Sequence, residues 1–476
     1  MSTVVPPEQW GFEYIKALAK ERRCPVPDLL ALGRGNDPFY AGAAGYRIWG
    51  EWFARLWQEH DLPDGTHVRR VHYRLISLKE PVLRADGKLY VNDGDSWAKL
   101  QNASKWARHL GLLDAKAFED RRNPDPHLFA DYAFIPTPAW SVDPIERPWE
   151  LPRIRTDLGQ YLYFSIPRPQ VQGYSYEIGD QPYHLEVWIE KSTMNDELVP
   201  VCRDLDANLV TSVGFQSITS AVKLLERLIH IGLTLRRYQP ARIFYIADFD
   251  PAGDSMPVAV ARQLEFYRQR YLPGADIKLT PLALTRAQVI EYRLPRKPIE
   301  KVKDPRKANF EEAYGEGAVE LDALEALHPG VLARIVRTAL EPYRDETLPA
   351  RMMETQEVAE DVLRQAWDAS MGPHFRHLEE IKRQARKIYE RYRKELERLD
   401  AQLAGELAPL AVKLADEFHA IQAATDNLKV ALPNRPEATV DPPNEDGWLF
   451  DSSRDYLEQL AVYKARRGTA DEGDES

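Results

Sequence analysis

The sequence predicts an α/β fold: a mostly parallel sheet flanked by helices, preceded by a small α+β module and followed by a helical region. Three observations carry this. Between 183 and 284, short β-branched and aromatic runs alternate with amphipathic stretches, the pattern of parallel strands joined by crossover helices. Between 64 and 125, helical stretches bracket a hairpin signal. From about 340 to 425, apolar residues recur at spacings of three and four with few helix breakers.

Residues 1–60 read as a helical N-terminal extension, with Ile48, Trp52, Leu56 and Trp57 at helical spacing. In 61–125, Val68, Val71, Leu75 and Ile76 share one helix face, "VLRADGKLYV" turns at Asp86-Gly87, and a second helix ends at Gly111. Helices with a hairpin wing in so short a segment predict a winged-helix domain. Residues 126–180 are proline-rich and read as a linker. The sheet domain spans 181–335, with strands at 183–190, 207–213 (ending at Gly214), 241–248 and 276–284, and helices at 193–205, 216–232 and 254–271. In the helical region, 336–425, a seam of Ile381, Ala385, Ile388, Tyr392, Leu396, Leu399, Leu403 and Leu407 requires a partner helix, and Gly405 and Pro409 are expected to bend or end it. The composition of 426–476 predicts a mobile tail.

The 476 residues carry 74 acids against 63 bases, a net charge of −11, which argues against a surface coated with non-specific nucleic-acid contacts. It leaves room for a local basic channel, and basic residues do cluster at 67–74, 292–307 and 381–394. No apolar run approaches the roughly 18 residues of a membrane span. The N-terminus lacks a basic stretch followed by an apolar one, and Cys24 and Cys202 are too few for a disulfide framework. A cytoplasmic protein without a membrane partner is the expectation.

The chemistry centres on "FYIADFDPAG", Phe244 to Gly253. Ligands of an open parallel sheet bind at the carboxyl ends of its strands, where Asp248 and Asp250 fall. Residues two apart on an extended segment point the same way, so both carboxylates can face one cation. Hard oxygen ligands of this kind suit Mg²⁺. Another strand ends on Glu190, in "EVWIEKST", toward the same edge. Two weaker signals are "NDGDSW" (92–97), read as a loop and helix cap, and His374 and His377, one helical turn apart.

A strand ending on Glu190, followed two βα units later by D-x-D-x-x-G, resembles the Toprim domain of topoisomerases, primases and related nucleases. That resemblance implies Mg²⁺ held by Glu190, Asp248 and Asp250, with Glu190 also a general acid/base. "VRRVHYRL" resembles the segment bearing the nucleophilic tyrosine in the topoisomerase VI A subunit and its meiotic double-strand-break relatives, with Tyr73 at the nucleophile's position. His72 stands where that family has a first tyrosine. Domain order matches, and the similarity covers roughly 60–330, including "YRLPRKPIEKVKDPR" and "GAVELDAL". A phenol titrating at about pH 10 needs cationic neighbours to attack at neutral pH. Arg70 joins Tyr73 and Glu190 in the catalytic set, while Arg69, Arg70, Arg74, Arg296 and Lys297 are the candidate DNA contacts. The implied activity is Mg²⁺-dependent cleavage of double-stranded DNA by transesterification. The implied assembly is a homodimer, with any ATPase on a separate subunit because this chain has no ATPase motif. Two alternatives stay open: a hydrolytic Toprim nuclease, for example in phage or plasmid defence, and a non-catalytic DNA-binding subunit.

Overall fold

The computed structural model describes residues 11–30, 41–118, 123–143, 166, 168–212, 218–299, 304, 306–392 and 400–466. Contacts divide the chain into two units, the first from Met1–Ala133, Gln181–Arg344 and Val440–Ser476, the second from Phe134–Asp180 and Asp345–Thr439.

In the first unit, α1 (Phe12–Arg22) and α2 (Ala44–Glu59) precede α3 (Val68–Ile76) and α4 (Gly94–His109). Trp52, Phe53, Leu56 and Trp57 of α2 share a core with Val71 and Leu75 of α3 and Leu100 and Ala103 of α4. The expected boundary at residue 60 therefore cuts through a core, and α2 is not an extension. A nine-residue α3 cannot bury its apolar face alone, and the α2 aromatics cover it. Ile48, expected on the same face, is exposed. Between α3 and α4 the chain turns at Gly87, whose φ of 78° suits glycine, and Leu83 bridges Leu89 antiparallel. Asp93 caps α4 by accepting from the Ser96 N–H at 2.7 Å, as expected for that loop.

Two short strands, β1 (Ala139–Ser141) and β2 (Gln170–Gln172), pair antiparallel and belong to the second unit. The first unit is organised by a sheet of β3 (His184–Ile189), β4 (Asn208–Thr211), β5 (Ala241–Ile246), β6 (Ile277–Ala283) and β7 (Phe450–Asp451), in the order β4-β3-β5-β6-β7. The first four are parallel; β7 runs antiparallel to β6. Its helices are α5 (Asn195–Asp204), α6 (Ile218–Leu235), α7 (Pro251–Tyr271), α8 (Arg286–Glu291), α9 (Lys307–Tyr314), α10 (Leu321–Leu327) and α11 (Val331–Leu340). Neighbouring residues on a strand face opposite ways, so Val187 and Ile189 pack with Leu198, Leu332 and Val336, while Trp188 packs with Leu224, Leu228 and Leu264. Burial on both faces explains why every residue of β3 and β5 is buried.

Three expected boundaries change. The helical region does not begin at 336, because Val336 and Leu340 of α11 belong to the sheet's core. Residues 126–180 are not one linker: His127 bridges Leu209 at the sheet edge, whereas 134–180 joins the second unit. Nor is 426–476 a mobile tail as a whole. Leu449, Phe450 and Tyr463 are core residues, the last on the C-terminal helix α14 (Tyr456–Arg466). Lys278 fastens this return to the sheet, 2.8 Å from Glu445 and 3.2 Å from Asp451. The polar average of the segment conceals the short apolar run "WLF" that drives its docking.

The second unit contains α12 (Leu348–Tyr392) and α13 (Asp400–Asn427). His374 and His377 both pair with Glu417, and Arg391 pairs with Glu406, so the helices run antiparallel. The expected seam is not one continuous stripe: Ile381 and Ala385 of α12 pack with Leu403, Leu407 and Leu410 of α13, so its two ends face each other. Leu396 and Leu399 lie outside the described residues. Gly405 and Pro409 do not end α13; burial of Leu407 and Leu410 outweighs the hydrogen bond that proline removes. Among the described residues no helix is long and apolar enough to cross a membrane.

Candidate active site

Adjacent parallel strands β3 and β5 align Ile189 with Ile246. The chain segments that follow leave the sheet side by side. The Glu190 N–H donates to the Ile246 carbonyl at 3.4 Å, and the Asp248 N–H donates to Glu190 Oε1 at 3.3 Å. Asp250 caps α7, its Oδ1 accepting from the Gly253 N–H at 2.6 Å, with Pro251 in the first helical position. Position 253 has no space for a side chain: a Cβ there would lie 2.0 Å from the Asp248 carbonyl oxygen. The spacing D-x-D-x-x-G is thus a cap and a close backbone approach, which together turn both aspartates toward Glu190.

Burial and the Asp248 charge push the Glu190 carboxyl up to about 8, and its Oε2 is buried without a hydrogen-bond partner. Burial also raises Asp250, aided by Asp248 and opposed by the Gly253 N–H. Asp248 is held on both oxygens. Oδ1 accepts from the Leu321 N–H at 2.7 Å, and Oδ2 lies 2.9 Å from Lys191 Nζ. The same ammonium stands 2.8 Å from Asp322 and 3.8 Å from Glu320.

A second layer closes over the aspartates. Phe249 pairs with Val319, and Ala318 with Lys297, through reciprocal backbone hydrogen bonds of 2.8–2.9 Å. Arg296 lies over the Phe249 ring, 5.2 Å from its centroid, and donates to the Glu316 carbonyl at 3.0 Å. Arg306 reaches Ser255 Oγ at 2.8 Å, and the Asp250 charge raises its pKa further after the stronger effect of Asp304. The basic run therefore does come to the carboxyl edge; its Glu300, Lys301 and Lys303 lie outside the described residues.

Tyr73 is 56% exposed on α3, and Arg69, Arg70 and Arg74 beside it are exposed too. His72 turns the other way. It is buried, with Nδ1 2.6 Å from Tyr90 Oη and Nε2 3.1 Å from Asn92 Oδ1, so it braces the hairpin and is not placed as a base for Tyr73. Among the described residues, the side-chain hydrogen bonds and ion pairs of the three acids run to Lys191, Leu321, Ala252, Gly253 and one another, and none reaches α3.

Among the described residues no three acidic, histidine or cysteine side chains converge to hold a metal ion. The donor chemistry nonetheless fits Mg²⁺: hard carboxylate oxygens, a buried Oε2 lacking a partner, and acids that repel one another. Sequence reasoning missed Lys191, Glu320 and Asp322, and held Arg306 only as one base of the 292–307 run. Lys191 directly follows Glu190, and the alternating acids of "VELD" precede a helix; those were the available signals. By sequence the chain matches no known family model and no curated protein.

Proposed function

We propose that this chain is a Mg²⁺-dependent DNA strand-cleaving protein of the topoisomerase VI A kind, with a winged-helix module built on α3 and α4 and a Toprim domain built on the parallel sheet. The observation that carries the reading is the emergence of Glu190 and Asp248 side by side from β3 and β5, with Asp250 one turn beyond. Asp248, Asp250 and Glu190 would hold the metal, which supplies neutralisation of charge on the reacting phosphate. Tyr73 Oη gives its proton to solvent water and attacks a backbone phosphorus; a tyrosyl–phosphate bond forms as the bond to the 3′ oxygen breaks. The leaving oxygen is protonated through Glu190 in its general acid/base role. Arg69, Arg70 and Arg74 grip the flanking phosphates, and Arg296 and Lys297 meet the backbone at the sheet's edge. In a homodimer the tyrosine of one protomer serves the acids of its partner, and a separate subunit supplies any ATPase.

A second reading, hydrolysis without a covalent intermediate, is favoured by the orientation of His72, which leaves Tyr73 without a neighbouring base on α3. Incubation with supercoiled plasmid and Mg²⁺, then denaturation with and without protease, separates the readings. Cleaved DNA carrying protease-sensitive protein supports transesterification. Protein-free breaks support hydrolysis, and absence of any nicking refutes both in favour of a DNA-binding subunit.

A further inference from the structure

Lys191 has no part in the chemistry above, yet its ammonium is ion-paired with one of the three acids, 2.9 Å from Asp248 Oδ2. Both oxygens of Asp248 already have partners, Leu321 N–H on one and Lys191 Nζ on the other. A metal ion drawing on Asp248 must take Oδ2 from the lysine or share it with a positive charge 2.9 Å away. Sharing is costly in a half-buried site, where like charges are poorly screened. Release is not, because Asp322 at 2.8 Å and Glu320 at 3.8 Å remain to compensate the ammonium. Both sit at the start of α10, the helix whose Leu321 N–H also holds Asp248 Oδ1, so Asp248 keeps one anchor when the other leaves.

We infer that Lys191 is a tethered cation that competes with the metal at Asp248, with Asp322 and Glu320 as the acids to which it withdraws, and that this exchange sets the protein's metal affinity. The inference rests on the metal reading of the site.

The test is direct binding of Mn²⁺ to the full chain without DNA, read from the electron paramagnetic resonance of the free ion. Lys191→Met should tighten binding by about tenfold, since it deletes the competitor and leaves the Leu321 anchor in place. Lys191→Arg, which keeps the charge, should stay near the wild-type affinity. Asp322→Asn should weaken binding in the wild-type background, because the ammonium then leans on Asp248 alone, and should have no effect in the Lys191→Met background. Unchanged or weaker binding in Lys191→Met, with the melting temperature of the metal-free protein retained, overturns the inference. So does an equal loss from Asp322→Asn in both backgrounds, which would make Asp322 a ligand. Asp248→Asn separates the two levels: if it binds Mn²⁺ as tightly as wild type, the metal reading itself has failed.

Discussion

Gly253 and Asp248 touch through their backbones: the position a Cβ would take on Gly253 is 2.0 Å from the Asp248 carbonyl oxygen. The obstacle is backbone, so no side chain can swing aside. Gly253→Ala must open the turn between β5 and α7, displacing Asp248 from the Leu321 N–H and Asp250 from its cap. Plasmid nicking should be lost, with a stability decrease of roughly 1–3 kcal/mol by urea unfolding. An active, equally stable Gly253→Ala protein would refute the assignment of this glycine.

The parallel sheet and the acids at its edge were legible because buried strands and strand-end carboxylates are local patterns. Asp248 and Asp250 are two residues apart, and Glu190 ends another strand of the same sheet. What closes the site was not legible. Lys191 and Asp322 meet across 131 residues of chain, with Glu320 beside them, through the docking of α10 that no local period encodes. The return of Trp448–Phe450 to the sheet was hidden in the same way, by an apolar run of three residues within polar chain. Tyr73 shows the limit differently. Helical spacing put Val71 and Leu75 inside and left Tyr73 outside, but spacing within one helix says nothing of what an exposed residue meets.

A buried hub on β3 offers a stability test remote from the site. Glu186 is fully buried and accepts from Arg227 at 2.9 and 2.8 Å and from Trp188 at 2.7 Å, and its Oε1 lies 2.9 Å from His184 Nε2. Burial alone would raise its carboxyl, but Arg227 and His184 hold it below the usual range. Glu186→Gln leaves the Arg227 charge without a carboxylate and should cost roughly 3 kcal/mol or more. Because the folded pKa is depressed, the wild-type contribution is present above the unfolded value of about 4.3 and fades as pH falls below it. Urea unfolding at pH 7 and pH 4 should therefore show the gap between the two proteins narrowing in acid. A gap independent of pH would sink the ion-pair account.

Glu265 on α7 behaves in the opposite sense. Burial raises its carboxyl to about 7, opposed by the Arg262 charge and the nearby Tyr463 hydroxyl of α14. The folded state then holds a proton that the unfolded chain releases at about 4.3, so stability falls as pH rises from there toward 7. Glu265→Gln removes this slope. Its melting temperature should exceed that of wild type at pH 8 by more than at pH 5. An identical difference at both pH values would contradict the burial assigned to this carboxyl.

Arg296 and Lys297 are neighbours in sequence but differ in setting, which gives DNA binding two separable outcomes. Lys297 is exposed, and its backbone, not its side chain, makes the bridge to Ala318. If it meets a phosphate, Lys297→Ala should lower the slope of log K against log salt by about one, equally for all DNA sequences, with no change in the metal dependence of cleavage. Arg296 contributes a charge of the same kind, but its guanidinium also covers Phe249 between the two aspartates and is tied to the Glu316 carbonyl. Arg296→Ala should therefore reduce the slope by the same amount and also slow cleavage at saturating DNA. Arg296→Lys restores charge but neither the planar stack nor the fork of donors, so it should recover the salt slope without recovering the rate. Salt titrations of binding, paired with single-turnover cleavage, measure both quantities. A normal salt slope in Lys297→Ala and Arg296→Ala alike would mean that DNA does not approach over this edge.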